Sequence, residues 1–163
     1  MSAAGRRPPG PPPPPRPNRD PMLTLAVIKP DAVQARRAGK ILAHLEAAGF
    51  VVRAARLVHL SRGQAEAFYE VHRERPFFGP LVSFMTSGPA WVLVLERDDA
   101  VAALREVIGA TDPAEAAPGT IRRVYGESKE RNAIHASDSP ATAAREVAFF
   151  FTPAELEQLG AAR

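Results

Sequence analysis

The chain contains four histidines, which are candidates for covalent chemistry, and no cysteine. The absence of cysteine excludes disulfide bonds, thiolate zinc sites and cysteine nucleophiles. His135 lies in the segment Asn132 to Ser139, where short polar side chains flank it just before a predicted helix start, and it is a candidate nucleophile. His44, on the polar side of a predicted helix, and His59, at a predicted strand end, are expected to be ordinary surface residues.

A second candidate region interleaves aromatic and cationic side chains. The stretch from Tyr69 to Phe78 reads Tyr-Glu-Val-His-Arg-Glu-Arg-Pro-Phe-Phe and contains His72. A flat ring can stack a nucleotide base and cations can bind its phosphates, so this mixture suits a nucleotide. Taken alone, the same stretch could equally be a packed loop.

Any phosphate site in this chain must use side chains. Gly39-Lys40 lacks an upstream glycine and is followed by Ile41, so there is no phosphate-binding loop, and the glycine patterns of protein kinases and dinucleotide-binding proteins are also missing. Lys29 is a candidate because the chain has three lysines against 18 arginines. It lies between a predicted buried strand and Pro30-Asp31, and ligands favour strand ends and loops. A solvated lysine is the alternative.

The elements that position these residues can be predicted from apolar periodicity and capping signals. The wholly apolar run Leu23 to Ile28 predicts a buried strand that stops at a proline turn over 29–31. Ser61 and Gln64 form a capping box, which predicts a helix that begins there and runs through Val71.

The strand predicted over 50–60 contains one irregularity. Arg53 and Arg56 are three residues apart and would face opposite sides of a regular strand, so a bulge near Ala54 to Arg56 is expected. The remaining predicted elements are a helix over 39–49, a short helical stretch near 81–85, a strand over 90–95, a helix capped by Asp98 and stopped at Gly109, a long loop over 110–120, a short strand within 131–137, a helix from Ser139-Pro140 through Phe150 and a last turn capped by Thr152.

The order of elements is strand, helix, strand, insert, strand, helix, short strand. It predicts an α+β fold of the ferredoxin-like split βαβ type, a sandwich in which helices cover one face of a four-stranded antiparallel sheet. A chain of 163 residues that is 45% hydrophobic is long enough for one well-buried core, and one folded domain is expected. The fold alone does not decide the function.

The basic charge of the chain lies in its N-terminal leader. Residues 1–21 hold four arginines against one aspartate, a net charge of +3 that equals the charge of the whole chain, together with nine of the 17 prolines. This leader is predicted to be disordered or polyproline II, with a proline-motif ligand or a targeting sequence as the alternatives. Met22 is a candidate for the true start. Residues 22–163 are formally neutral, which argues against a nucleic-acid partner.

Six segments of the chain, in order, resemble the nucleoside diphosphate kinases. The similarity covers Leu23 to about Leu156, and residues 22–163 are therefore expected to form a catalytic domain of that type. The segments are Lys29-Pro30-Asp31-Ala32-Val33, Tyr69 to Phe78, Thr86-Ser87-Gly88-Pro89, Gly109-Ala110-Thr111-Asp112-Pro113, Pro118-Gly119-Thr120-Ile121-Arg122 and Asn132 to Ser139.

The resemblance implies transfer of a γ-phosphate from a nucleoside triphosphate to a nucleoside diphosphate by a ping-pong mechanism. His135 stands in the place of the nucleophile, and histidine suits this task because it is largely neutral near pH 7 and carries a nucleophilic nitrogen. Glu146 matches the acidic partner of that histidine. A solvated helix residue is the alternative for Glu146.

The resemblance also implies the nucleotide contacts. Mg²⁺ would bridge the phosphates without a direct protein ligand, and stacking on a ring would tolerate both purines and pyrimidines. The residues on nucleotide-contact positions are Lys29, Tyr69, Arg105, Thr111, Arg122 and Asn132, with His72 at the β-phosphate, Phe77 stacked on the base and Leu81 behind it.

Two positions depart from the family pattern. Glycine usually follows the histidine, whereas this chain has Ala136, which loses easy access to positive φ; if the backbone needs that region, His135 would be misaimed. Lys129 stands where an apolar residue often closes the other side of the base, although its stem can still pack.

Partners and location follow from the same resemblance and from the absence of membrane signals. A homo-oligomer is expected, either a hexamer or a tetramer built from dimers. No apolar run could span a bilayer and no secretory signal is present, so a soluble protein of the cytoplasm is expected. The rival functions are a catalytically weak relative that acts as a nucleotide sensor or scaffold, and an RNA-binding ferredoxin-like module, for which the aromatic strand motif is missing.

Overall fold

The computed structural model describes residues 22–159, which form a four-stranded antiparallel sheet and the helices around it. The predicted leader over residues 1–21 lies outside the described residues. The strands stand in the order β2-β3-β1-β4, which confirms the predicted α+β, ferredoxin-like sheet. Their bounds are β1 Leu23–Ile28, β2 Val51–Val58, β3 Ala90–Glu96 and β4 Ile134–Ala136.

Eight α-helices and one 3₁₀ turn connect these strands within residues 22–159. None of the helices described there is long and apolar enough to cross a membrane. The helices are α1 Pro30–Gln34, α2 Ala38–Ala47, α3 Arg62–Phe68, α4 Phe78–Met85, α5 Ala100–Ile108, α6 Ile121–Tyr125, α7 Pro140–Phe150 and α8 Pro153–Gln158, and the 3₁₀ turn is Glu70–His72.

Helices cover both faces of the sheet, so the prediction that they cover one face is wrong. On one face Ala26 and Ile28 pack with residues of α2, α5 and α6. On the other face Leu25 and Val27 pack with residues of α3, α4 and α7. Burial on both sides explains why β1 is almost wholly apolar, since an antiparallel strand with one wet face would alternate apolar and polar residues.

The bulge in β2 lies slightly before its predicted position. The register with β3 shifts between Val52 and Ala54, so the extra residue is Arg53. As a result Arg53 pairs with Glu96 on the neighbouring strand, while Arg56 points to the C-terminal segment. The Arg56 guanidinium donates to the Phe150 carbonyl at 2.6 Å and to Glu155 at 2.9 Å, which ties α8 to the edge strand.

Helix ends agree with the sequence where a side chain caps them. The capping box of Ser61 and Gln64 is present, but α3 ends at Phe68 and not at Val71, because the chain tightens into a 3₁₀ turn in which the His72 amide donates to the Tyr69 carbonyl. Ser139 and Thr152 cap α7 and α8 as predicted.

The predicted cap of α5 is wrong by one residue. The N-cap is Asp99, whose backbone is left-handed with a φ of 54°, and its side chain makes no capping hydrogen bond. Two helices were not predicted. Pro30 opens α1, where the sequence suggested a turn, and Thr120 caps α6 at the end of the long loop, which is present as predicted.

Gly109, which ends α5, allows a direct prediction about stability. Its φ is 86°, and a Cβ there would lie 2.7 Å from the Thr120 Cβ. We expect Gly109→Ala to lower the free energy of unfolding by about 1–3 kcal/mol, because the new methyl group meets both strain and overlap. Gly39→Ala, in open space within α2, should instead be neutral or stabilising by up to about 1 kcal/mol. Equal thermal unfolding midpoints for the two variants would contradict this expectation.

Candidate active site

The side chain of His135 is held by a carboxylate from the next helix. It lies on β4, opposite Val27 of β1, and keeps 21% of its surface exposed. Its Nε2 is 2.8 Å from Oε1 of Glu146, which α7 places in the interior. The Ser137 hydroxyl donates to the same carboxylate oxygen at 2.8 Å, so this buried carboxylate is fixed from two sides.

This hydrogen bond selects one tautomer of the histidine. A carboxylate can only accept, so Nε2 carries the proton and donates it to Glu146. The other ring nitrogen, Nδ1, then has a free lone pair, and it makes no hydrogen bond to any of the residues 22–159. The arrangement leaves a nucleophilic nitrogen on a partly exposed ring.

Two aromatic rings flank the histidine. Phe68 contacts the His135 ring edge to face at 5.4 Å, and Tyr69 does so at 6.1 Å between ring centroids. The Tyr69 hydroxyl is buried and has no hydrogen-bond partner within residues 22–159. Burial, and then the charge of Glu146, raise the pKa of Tyr69, so this hydroxyl keeps its proton and remains a donor.

Lys29 and Asn132 form a buried pair at the end of β1. The Lys29 ammonium donates to Oδ1 of Asn132 at 2.8 Å, and the Asn132 amide donates to the Thr111 carbonyl at 3.1 Å. Burial, and then the charge of nearby Arg122, lower the pKa of Lys29 to about 8, although the Asp31 carboxylate acts in the opposite direction. Thr111 itself is exposed in the long loop after α5.

Arg122 adds a second buried cation beside Lys29. Its guanidinium donates to the Gly109 carbonyl at 3.0 Å and to the Ile134 carbonyl at 2.9 Å, which leaves Nε buried without a partner in the described chain. Burial, and then the charge of exposed Arg105 on α5, lower the pKa of Arg122 to about 10. These cations therefore lie close together next to β4.

A row of rings leads away from the histidine. The Tyr69 ring lies 6.5 Å from that of His72, and His72 lies 5.2 Å from Phe77, which remains 48% exposed. Leu81, one turn further along α4, is partly buried against the core of that sheet face. Hydrogen bonds and ring contacts thus link His135 to Glu146, Tyr69, His72 and Phe77, and link Lys29 to Asn132 and Thr111, while Arg105 acts on Arg122 through charge. Phe77 remains open for a flat ligand.

The two departures from the family pattern have different outcomes. Within residues 22–159, the residues other than glycine with a positive φ are Arg36, Asp99 and Ala133. Ala136 pairs with β1 inside a strand and does not have a positive φ. Alanine at that position therefore carries no backbone strain. Lys129 is exposed and makes no cation–π contact with Phe77 in the described chain.

Two residues of the site had no predicted role. Ser137 anchors Glu146, and Asp31 accepts a hydrogen bond from the Ala133 amide at 3.1 Å. Both lie inside the motifs quoted for the family resemblance, so their positions were visible in the sequence. Their partners were not, because each contact joins residues that only the fold brings together.

The free ring nitrogen of His135 can accept a phosphoryl group. Two buried cations stand at the neighbouring strands, Lys29 after β1 and Arg122 bound to the Ile134 carbonyl of β4, and cations neutralise the charge of phosphates that approach such a nitrogen. Such a site on this fold defines a phosphotransferase. The chain matches the family model described as "Nucleoside diphosphate kinase" over residues 23–156, and it belongs to the nucleoside diphosphate kinase family.

Known proteins support this membership over most of the chain. A nucleoside diphosphate kinase of Sorangium cellulosum is 57% identical over 133 residues, which are 82% of this chain and 92% of that protein. One of Legionella pneumophila is 56% identical, over 82% of this chain and 95% of that protein.

Solved structures agree with the fold. The nucleoside diphosphate kinase of Aquifex aeolicus superposes with a TM-score of 0.81 at 47% identity and covers 82% of this chain and 97% of its own. That of Halobacterium salinarum, solved in complex with CDP, gives a TM-score of 0.79 at 40% identity, over 82% and 89% of the two chains.

The lowered pKa of Lys29 predicts a loss of nucleotide affinity at high pH. Lys29 is protonated below about pH 8 and loses its charge above it, whereas Tyr69 and Arg122 keep their protons there. Affinity for a nucleoside diphosphate, measured by calorimetry, should therefore be constant from pH 6.5 to 7.5 and fall above pH 8. Lys29→Met should bind the nucleotide weakly at every pH, without a further fall in affinity above pH 8. A fall in affinity with the same midpoint in that variant would show that Lys29 is not the titrating group.

Proposed function

We propose that His135 carries the phosphate in the nucleoside diphosphate kinase reaction of this protein. The observation that supports the proposal most directly is the hydrogen bond from Nε2 to Glu146, which leaves Nδ1 unprotonated on a partly exposed ring. The substrates are a nucleoside triphosphate as donor and a nucleoside diphosphate as acceptor.

In the first half-reaction, the Nδ1 lone pair attacks the γ-phosphorus and forms a P–N bond. The bond from that phosphorus to the β,γ-bridging oxygen breaks, and the diphosphate leaves with the electron pair. The imidazole then carries a positive charge, which the Glu146 carboxylate stabilises through the Nε2 proton. In the second half-reaction, a terminal oxygen of the acceptor diphosphate attacks the same phosphorus, the P–N bond breaks, and the neutral imidazole is restored.

The remaining site residues bind and orient the nucleotide. Lys29 and the Tyr69 hydroxyl donate to the transferring phosphate, while Asn132 fixes the Lys29 ammonium and reaches the ribose. The phosphate chain lies against further donors, and the base stacks on a half-exposed ring. These further contacts are Arg105, Arg122, Thr111 and His72 for the phosphates, with Phe77 and Leu81 for the base.

Stacking on Phe77 supports binding of nucleotides with different bases, because an aromatic ring contacts the face of a base and not the hydrogen-bonding edge that distinguishes one base from another. The related Halobacterium salinarum enzyme was solved with CDP, a pyrimidine nucleotide. We infer the same tolerance here, for purines and pyrimidines alike.

The proposed cofactor is Mg²⁺, which would enter the site bound to the phosphates of the nucleotide. In residues 22–159, no group of three or more histidine or carboxylate side chains could hold a metal, and Glu146 and Asp31 already accept hydrogen bonds. The metal would thus be bound by phosphate oxygens, where it neutralises charge during transfer. Residues such as Thr111 and Arg105 would contact the phosphates that carry it.

Labelling with γ-³²P-ATP tests the role of His135. Wild type should form an acid-labile, base-stable phosphoprotein and pass the label to several nucleoside diphosphates, whereas His135→Ala should form none, because Nδ1 is the acceptor atom. Ala136→Gly is the matched control and should transfer within about twofold of wild type, since Ala136 has no strain to relieve. Labelling of His135→Ala to the wild-type level would refute the proposal.

The same assay separates the rival function. A catalytically weak relative that senses nucleotides or acts as a scaffold would bind nucleotide yet fail to transfer label when wild type is well folded. Such a result would favour that alternative.

We also propose a homo-oligomer that acts in the cytoplasm, with β2 as one contact. β2 is an edge strand of the sheet, and its Val51 and Leu57 are 47% and 50% exposed. Unpaired edge strands with apolar side chains are suited to pairing with a second copy. The choice between a hexamer and a tetramer depends on further contacts.

Sedimentation velocity tests this contact. Wild type should sediment as an oligomer, and Leu57→Glu should shift it to a smaller species, because a carboxylate at a buried interface lacks a partner. Val71→Glu is a matched control at a position that is 67% exposed on the 3₁₀ turn, and it should leave the oligomer unchanged. A monomeric wild type would exclude the proposed contact.

A further inference from the structure

The backbone between Asn132 and His135 contains a strained turn. Ala133 has a φ of 77°, a left-handed value that alanine disfavours, and it is fully buried. The Ile134 amide donates to the Asn132 carbonyl at 3.0 Å, across Ala133. A hydrogen bond between residues two apart, with positive φ at the central one, is the pattern of a classic γ-turn, which is rare. Something in the fold must hold this turn.

Both polar groups of the Ala133 backbone are held by the segment that follows β1. Its amide donates to Oδ2 of Asp31 at 3.1 Å in the interior. Its carbonyl accepts from the Lys29 amide at 2.9 Å. The second contact continues the backbone pairing of β1 with β4, whereas the first depends on a single side chain. Among residues 22–159, Asp31 is thus the one side chain that hydrogen-bonds to the Ala133 backbone.

The γ-turn fixes the orientation of Asn132, which precedes it, relative to His135, which follows it. Before it, Asn132 presents its side-chain oxygen to the Lys29 ammonium. After it, the Ile134 carbonyl accepts from Arg122, and His135 projects toward Glu146. A relaxed backbone at Ala133 would rotate one part relative to the other. Alignment of nucleophile and phosphate within a fraction of an ångström is what such a reaction requires.

We propose that Asp31 is a positioning residue for phosphoryl transfer, whose carboxylate holds the γ-turn at Ala133 and thereby aligns Asn132 and His135. The inference rests on the proposed function of His135 and adds a residue that touches neither nucleotide nor the reacting atoms. Asp31 lies in the first turn of α1, where it is buried.

Asp31 has a second effect, through charge, which can be separated from the first. Its Oδ1 has no hydrogen-bond partner in residues 22–159, and the carboxylate raises the pKa of Lys29 against burial. Arg122 acts on Lys29 in the opposite direction, and Arg131 shares the Phe84 ring with it. Asp31→Asn keeps an acceptor for the Ala133 amide but removes the charge, while Asp31→Ala removes both.

The decisive experiment compares kcat and KM at pH 7 for variants shown by circular dichroism to be folded. Asp31→Ala should lose about tenfold in kcat, with a smaller change in KM, because misalignment acts on the transfer step. Asp31→Asn should keep kcat within about threefold of wild type. Ala133→Gly, introduced into Asp31→Ala, should recover most of the loss, since glycine adopts positive φ without being held.

Arg36→Gly is the matched control for this rescue. Arg36 also has a positive φ, of 59°, but it is exposed in the loop between α1 and α2. Placed in Asp31→Ala, it relieves backbone strain elsewhere and should restore nothing. A wild-type kcat in Asp31→Ala, or a double variant with Ala133→Gly that is no faster than the one with Arg36→Gly, would overturn the inference.

A readout of the turn itself does not depend on turnover, so failure of the proposed function can be told apart from failure of this inference. The backbone amide signals of Ala133 and Ile134 should shift in Asp31→Ala and stay close to their wild-type positions in Asp31→Asn, and unchanged signals in Asp31→Ala would overturn the inference. The charge effect has its own readout. The chain has three lysines, and their ¹³Cε signals can be titrated by NMR with Lys40 and Lys129 as internal references. Lys29 should titrate near pH 8 in wild type and at lower pH in Asp31→Asn. An unchanged Lys29 titration in that variant would exclude the electrostatic part, even in an enzyme without activity.

Discussion

The site depends on β1 being paired on both edges and buried on both faces. Pairing with β4 places His135 opposite Val27, on the sheet face that carries Phe68 and Tyr69. A slip of one residue in this register would turn the histidine to the other face, among the side chains of α2 and α5. Because the same slip would turn Ile134 and Ala136 out of the core on their own face, the core enforces the position of His135.

Buried positive charge is the second constraint, and it links stability to function. Lys29 and Arg122 lie in the interior, where their charges are costly, and their direct partners are neutral carbonyl and amide oxygens. Neutral partners satisfy the donors without cancelling the charge. Both cations are therefore held in place before any nucleotide is bound, with the Asp31 carboxylate acting on Lys29 through charge, so little reorganisation is needed when phosphates enter.

Sequence patterns were sufficient where structure is local. Capping signals such as that of Ser61 correctly gave helix starts, and the apolar run of β1 gave a buried strand. Helices of five residues, α1 and α6, are too short for periodicity and were missed, and coverage of the second sheet face required knowledge of the packing. The site residues came from family motifs. What Asp31 and Ser137 contact could not be predicted, since the Asp31 partner is 102 positions away.

That separation along the chain governs how the protein must form. Within residues 22–159, β1 is the first strand and pairs with the third and the fourth, and the bond from Lys29 to Asn132 closes a loop of 103 positions. Contacts this distant in sequence slow folding, because the entropy of closure must be met before they contribute. During synthesis, the edge of β1 that pairs with β4 therefore stays unpaired until residues 134–136 have been made, and a chain truncated before them exposes an apolar strand edge that favours aggregation.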